Sequence, residues 1–316
     1  MPSVGAHEDD GDAPCSSSAP AVSTETGSTA PEPCTRAQSV GPFSGFRIVS
    51  VGEKLGAGAY GEVFAVEILM DDGSTSDAVM KVLYDPSQVA DHEREVAALE
   101  AVRDCPYVVQ MYGSGRRDGH LCTVMERAKG VPLKELLDEA GNARGRRSRT
   151  VLPYPQIARL ARQLLTAVEA MAARGLLHGD LKPANIMYDQ GTGDITIVDL
   201  GCGSFQGPDG LSHHAGTPGF MSLEMEAALY DRPCEYRPCL QSDVAAVGCI
   251  LCAATAFADR TGMVVSVRDY QDPLPSYAPP HLQQLIYGCL EADPARRLTP
   301  TAALAEPFLA RFPGSS

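Results

Sequence analysis

The chain has 316 residues, 44% of them apolar, no Trp and a formal charge of −14. That length allows two modest domains or one large bilobal unit. The acidic balance argues against a nucleic-acid partner, which would need a basic footprint. The longest apolar run, Val244 to Ala258, is too short to span a membrane and reads as a buried core helix.

Residues 1–42 are rich in Pro, Ser and Thr, carry net negative charge and hold almost no large apolar side chains. Such a segment buries too little surface to offset its ordering entropy, so it is expected to be a disordered tail. It has no basic-then-apolar start of a secretory signal. The expectation is therefore an intracellular protein, cytoplasmic or nuclear, with its ten cysteines reduced. Cys249 and Cys252 form C-x-x-C, but inside the apolar run, which suits core packing rather than a metal or redox site.

From Phe46 to Tyr84 the sequence alternates like strands, with a turn at Asp71-Asp-Gly-Ser-Thr75. A helix is predicted over 87–103, then strands at Val108–Tyr112 and Leu121–Glu126. After Pro132 helices dominate, at 133–140, 154–174, 222–229, 242–258, 279–291 and 299–309. Strands with one helix followed by helices predict an α+β bilobal fold, a small β-rich lobe and a larger helical one. The boundary is placed at 126–131, giving lobes of 46–126 and 132–312. Arg144, Arg146, Arg147 and Arg149 read as a solvated insert between two helices.

Leu177-Leu-His-Gly-Asp-Leu-Lys-Pro-Ala-Asn-Ile-Met187 sets Asp180, Lys182 and Asn185 in one short loop, and Asp199 follows in Ile197-Val-Asp-Leu-Gly201. One base, one phosphate-facing cation and two Mg²⁺ ligands are the kit for moving a γ-phosphoryl group from ATP to a hydroxyl. Upstream, Gly56, Gly58 and Gly61 form G-x-G-x-x-G. The residues after it alternate as a strand, so a glycine-rich loop between strands fits better than a dinucleotide-binding turn. Lys81 has apolar neighbours on both sides in Ala78-Val-Met-Lys, points inward and needs a carboxylate. Glu95, on the helix face of Leu99 and Val102, is the first choice and Glu93 the second.

In their order and spacing, Lys81, Asp180, Asn185 and Asp199 resemble the eukaryotic-type protein kinases of the Ser/Thr branch, over roughly residues 46–312. The resemblance implies ATP and Mg²⁺ as cofactors and a protein substrate whose Ser or Thr hydroxyl gives its proton to Asp180. It implies phosphate or nucleotide contacts from Gly56, Ala57, Gly58, Gly61, Val63 and Lys81 with its partner Glu95. Hinge contacts come from the backbone of Glu126 and Ala128, with Met125 as gatekeeper. Lys182 faces the γ-phosphate, and Asn185 and Asp199 hold metal. It further implies that Thr217 orients Asp180 and Lys182, that Glu224 pairs with Arg297, and that Asp243 anchors the catalytic-loop backbone. No membrane partner is implied, and oligomeric state is left open.

The chain departs from the family pattern at His178-Gly-Asp180, where Arg usually stands between, at Leu200 in place of Phe, and at Ser222-Leu-Glu224 in place of Ala-Pro-Glu. None removes a catalytic or metal-binding group. Gly179 offers no side chain to capture a phosphate on the segment 202–221, which contains no Arg or Lys. Activity without phosphorylation of Ser204 or Ser212 is the expectation. Ala184 and Pro132 stand where acidic residues often read an Arg three residues before the acceptor, so substrate choice is not expected to rest on such an Arg. Two alternatives stand beside this reading: a nucleotide-binding pseudokinase scaffold, and a small-molecule kinase of the aminoglycoside or choline type, which shares His-Gly-Asp.

Overall fold

A computed structural model of the chain describes residues 43–58, 61–143, 152–208, 210–211, 214–255 and 278–313. The expected tail 1–42, Tyr60, the arginine-rich stretch 144–149 and Ser212 lie outside these residues. The small lobe is one antiparallel sheet built from β1 (Phe46–Ala57), β2 (Gly61–Met70), β3 (Thr75–Leu83), β4 (Met111–Arg117) and β5 (His120–Glu126), in the order β1-β2-β3-β5-β4. The β2–β3 turn closes where the Asp72 carboxylate accepts the Ser74 N–H at 2.8 Å. Alternation puts Val66, Ile68, Ala78, Met80, Cys122 and Val124 on one buried face. Phe43 stacks on Phe46 at 5.0 Å between centroids and closes that core.

Helix α1 (Val89–Ala101) lies between β3 and β4 in sequence and buries Glu95, Ala98 and Leu99 on one face, with Val102 behind them. The strand expected at Val108–Tyr112 begins only at Met111. Val108 instead bridges to Ile197, Val109 donates its N–H to the Ile197 carbonyl at 2.9 Å, and Ile197 returns one to Tyr107 at 2.7 Å. These buried residues mimic a strand in sequence because they pin the small lobe to the large one. The Gln110 side chain donates to the Val108 carbonyl at 2.8 Å, satisfying a group the sheet leaves unpaired.

The large lobe opens with β6 (Val131–Pro132) and α2 (Leu133–Ala143), then α3 (Tyr154–Ala172). Helix α3 buries Ile157, Leu160, Ala161, Leu164, Leu165, Val168 and Met171, an i, i+3, i+4 stripe against the core. Each fully buried Leu there stabilises by about 1.5–3 kcal/mol, and Leu164→Ala would cost roughly 2–5 kcal/mol. Three short strands follow, β7 (Leu176–Leu177), β8 (Ile186–Tyr188) and β9 (Ile195–Ile197), with a 3₁₀ turn over Pro183–Asn185. A hairpin of β10 (Ser204–Gly207) and β11 (Gly210–Leu211) pairs with β7. After α4 (Leu223–Leu229), helix α5 (Ser242–Thr255) is buried almost all round. Only its span to Thr255 falls in the described residues.

Helix α6 (Pro280–Cys289) precedes a break in the helix expected at 299–309. It is two short helices, α7 (Pro300–Leu304) and α8 (Pro307–Ala310), because Pro307 has no N–H and forces Glu306 to an extended ψ of 143°. No helix among the described residues is long and apolar enough to cross a membrane.

Candidate active site

The loop from His178 to Asn185 runs between β7 and β8, and a buried carboxylate shapes it. Asp243, in the first turn of α5, accepts the His178 N–H at 2.7 Å and the Gly179 N–H at 3.1 Å. Burial pushes the Asp243 carboxyl up, while His178 and the two backbone donors pull it down. The Asp180 N–H donates to His178 Nδ1 at 3.2 Å, which leaves Nε2–H to donate to the Val198 carbonyl at 3.3 Å. Backbone and imidazole together fix where Asp180 emerges.

Three polar side chains meet there. Thr217 Oγ1 donates to Asp180 Oδ1 at 2.7 Å and accepts from Lys182 Nζ at 2.7 Å. Lys182 Nζ donates to Asp180 Oδ2 at 2.6 Å. Asn185 Nδ2 donates to the Asp180 carbonyl at 2.9 Å and to Oδ2 at 3.2 Å, which leaves its amide oxygen as the spare group. Asp180 and Asn185 are buried, so a carboxylate, an ammonium and a hydroxyl are held in one geometry before any ligand arrives.

Lys81 stands on β3, where Gly56, Val63, Lys81 and Thr123 run in register across four strands and share a face. Its Nζ reaches Glu95 Oε1 at 2.6 Å and Asp199 Oδ1 at 2.9 Å. Glu93 is exposed, so the choice between the two glutamates is settled by the helix face. Burial disfavours the Lys81 charge, but Glu95 and Asp199 outweigh it and raise its pKa. Burial likewise opposes ionisation of Asp199, yet Lys81 and the Gly201 N–H hold its carboxyl below the usual range. Asp199 adopts φ +64, a left-handed conformation costly for a side-chain-bearing residue and typical of functional sites.

The three loop glycines do different work. A Cβ on Gly61 would sit 2.2 Å from the Val82 carbonyl, so glycine there lets β2 and β3 close up. Gly56 and Gly58 face open space, and Gly58 N–H donates to the Gly61 carbonyl at 2.9 Å to bend the loop. Ala57 is exposed beside them. At the hinge the Glu126 side chain accepts the Gln110 N–H at 3.1 Å and its own N–H donates back to Gln110 at 2.9 Å. The N–H and carbonyl of Ala128 have no backbone partner among the described residues. Leu55 escaped the sequence reading: it is 42% exposed just before Gly56. An apolar residue directly before the first loop glycine was the available signal.

Downstream, Glu224 and Arg297 form a fully buried bidentate pair at 2.7 and 3.0 Å, with Ser242 Oγ adding a bond to Glu224 at 2.9 Å. Gly179 takes φ +79, and a Cβ on it would come within 2.7 Å of the Cys202 carbonyl. A Cβ on Gly216 would come within 2.6 Å of the Gly179 carbonyl. The loop of His178 to Asn185 thus packs backbone to backbone against both ends of the segment that follows Asp199. Ser204 is buried within that segment.

A profile of the protein kinase domain matches residues 49–309. The putative CBL-interacting protein kinase 13 of Oryza sativa subsp. japonica is 30% identical over 262 residues, covering 79% of this chain and 48% of the relative. Serine/threonine-protein kinase 36 of Pongo abelii is 29% identical over 227 residues, 69% of this chain and 16% of the relative. The probable cAMP-dependent protein kinase catalytic subunit of Encephalitozoon cuniculi is 27% identical over 256 residues, 77% of this chain and 73% of that one. The chain spans half or less of the first two relatives. The matched span takes in both lobes, the glycine-rich loop, the hinge and the Asp180 loop, and the chain belongs to the protein kinase domain family.

Proposed function

We propose that the chain is a protein serine/threonine kinase, with residues 46–312 as its kinase domain, moving the γ-phosphoryl group of ATP to Ser or Thr hydroxyls of protein substrates. One observation carries this reading: the closed triangle of Asp180, Thr217 and Lys182. Asp180 accepts the proton of the acceptor hydroxyl, held towards it by bonds to both carboxylate oxygens. Lys182 sits between that base and the incoming phosphoryl group and steadies its charge. Lys81, itself fixed by Glu95, takes the phosphates of ATP beneath Gly56, Ala57, Gly58 and Gly61. Val63 lines the adenine side, with Leu55 above it, and the Glu126 carbonyl and Ala128 backbone receive the base.

The donor set fits Mg²⁺, a hard cation that keeps waters and binds through one or two carboxylates plus phosphates. The half-exposed Asp199 carboxylate and the spare Asn185 amide oxygen would hold it. Bound there, it neutralises charge on the phosphate oxygens. Ser/Thr specificity draws on Lys182, on the Gly216-Thr-Pro loop and on the names of the relatives. Selection of an Arg three residues before the acceptor is not part of this reading.

The test is phosphotransfer by the purified chain with Mg²⁺-ATP, offered a mixed Ser/Thr and Tyr polypeptide, an aminoglycoside and choline. Phosphoserine and phosphothreonine, lost in Asp180→Asn, are expected. Phosphorylation of the small molecules alone would replace this reading with the small-molecule kinase. ATP binding with no transfer to any acceptor would replace it with a scaffold.

A further inference from the structure

The connection from the end of α1 to the start of β4, residues 102–110, holds two strained residues close together. Asp104 takes φ +64 and Tyr107 φ +62, left-handed values that glycine alone adopts cheaply. Such conformations persist where the surroundings over-determine them, and they cluster at functional sites. Here one carboxamide supplies the constraint. Gln110 Oε1 accepts the Asp104 N–H at 2.9 Å, and Gln110 Nε2 donates to the Val108 carbonyl at 2.8 Å. The same nitrogen faces the Val102 and Cys105 carbonyls, each at 3.4 Å. The side chain must accept at one tip and donate at the other, which Gln does and neither Glu nor Lys can.

Three parts of the nucleotide site end on that connection. Val102 closes α1, donating its N–H to the Ala98 carbonyl at 3.1 Å, and α1 carries Glu95, the partner of Lys81. At the hinge, the Gln110 N–H donates to Glu126 Oε1 at 3.1 Å, and the Gln110 carbonyl accepts the Glu126 N–H at 2.9 Å. Val109 donates to the Ile197 carbonyl and Tyr107 accepts from the Ile197 N–H, two residues before Asp199. The helix of Glu95, the hinge and the strand leading to Asp199 therefore share one support. That support is a strained turn closed by an amide. The triangle of Asp180, Thr217 and Lys182 is closed separately, by its own bonds.

We propose that Gln110 is a positioning residue for phosphoryl transfer. Its carboxamide holds the turn in the left-handed form, and the turn holds Glu95, the hinge and Asp199 in mutual register around the nucleotide. Without the amide, Asp104 and Tyr107 relax toward ordinary backbone values, and the three parts lose their common reference. The proposal rests on the kinase reading of the site and adds to it a residue that touches neither nucleotide nor acceptor.

The test compares Gln110→Met, which keeps the length and loses both bonds, with Ile157→Val, a mild change in the core of α3. Rates are taken per folded molecule, well below either melting temperature. Gln110→Met should lower kcat/KM for ATP roughly tenfold, as for two lost hydrogen bonds, and leave the KM of the protein substrate little changed. Ile157→Val should move neither. Amide hydrogen exchange at Ile197 and Glu126 should quicken in Gln110→Met. Adding Asp104→Gly to Gln110→Met should recover part of the lost rate, because glycine takes the left-handed turn without the bond. Should Gln110→Met fail to fold, Gln110→Glu replaces it, with the same fall expected because a carboxylate cannot donate to the Val108 carbonyl. A rate per folded molecule equal to that of Ile157→Val, unchanged exchange at Ile197 and Glu126, or no recovery with Asp104→Gly would overturn the role. A native chain without phosphotransfer would fail the kinase reading instead, and Mg²⁺-ATP affinity then decides Gln110 by the same comparison.

Discussion

Two clusters of opposite charge in this molecule are built to different rules. Glu224 and Arg297 are 0% and 1% exposed in their side chains, bonded twice to each other, and every remaining guanidinium donor finds a carbonyl, of Gln241, Glu291 or Ala292. Lys81 and Glu95 are nearly as enclosed, but the third member, Asp199, is 49% exposed and strained. A charge cluster sealed and fully satisfied holds elements together. One left open on a single carboxylate keeps a charge available to a ligand. The family's chemistry is expected at the second, and the first should matter only to folding.

Breaking the sealed pair gives the largest expected effect. Arg297→Ala leaves the buried Glu224 carboxylate without its countercharge, a load the Ser242 hydroxyl cannot carry alone, and a loss of about 3–5 kcal/mol in urea unfolding is expected. Next comes the open cluster. Lys81→Met should cut phosphotransfer by roughly 10²–10³, the cost of a lost electrostatic contact in a site, with a smaller loss of stability, because burial already raises the Glu95 carboxyl and favours its protonation once the lysine is gone. Retention of more than about a tenth of activity would take Lys81 out of the phosphate site.

The pH dependence sharpens the contrast. Burial would raise the Glu224 carboxyl, but the Arg297 bonds outweigh it and hold it below its ordinary 4.5. A depressed carboxylate stabilises fully above that value and loses its contribution as pH falls through its lower folded value. Acid unfolding of the native chain should therefore steepen below about 4.5. In Glu224→Gln that part of the acid limb should flatten, as followed by circular dichroism. An unchanged limb would mean the pair adds nothing on protonation.

The smallest expected effect is none. Gly179 and Gly216 bring the loop of Asp180 and the segment 202–221 together by backbone contact, and Ser204 is buried within that segment. Phosphatase-treated protein from bacteria should reach its full initial rate without a lag, and Ser204→Ala/Ser212→Ala should keep it. A lag abolished by pre-incubation with ATP would contradict this.

Much of this arrangement was legible in sequence, because motif order carries the spacing of Lys81, Asp180, Asn185 and Asp199, and helix periodicity picks Glu95 over Glu93. The Thr217 bonds and the distant Glu224–Arg297 pair came through resemblance rather than through any local pattern. What stayed hidden depends on tertiary contact. Val108 and Val109 look like a strand but join the lobes at Ile197. Gly179 looks like a missing arginine, yet a backbone carbonyl fills the place of its Cβ.

Asp199→Asn puts the contrast between the two clusters to its most direct test, with phosphotransfer and melting temperature measured on the same preparation. The open cluster predicts a fall of roughly 10²–10³ in rate, with only a small drop in melting temperature, because the half-exposed Asp199 gives up a single ion pair to Lys81. An active Asp199→Asn protein, or one destabilised as severely as Arg297→Ala, would contradict it.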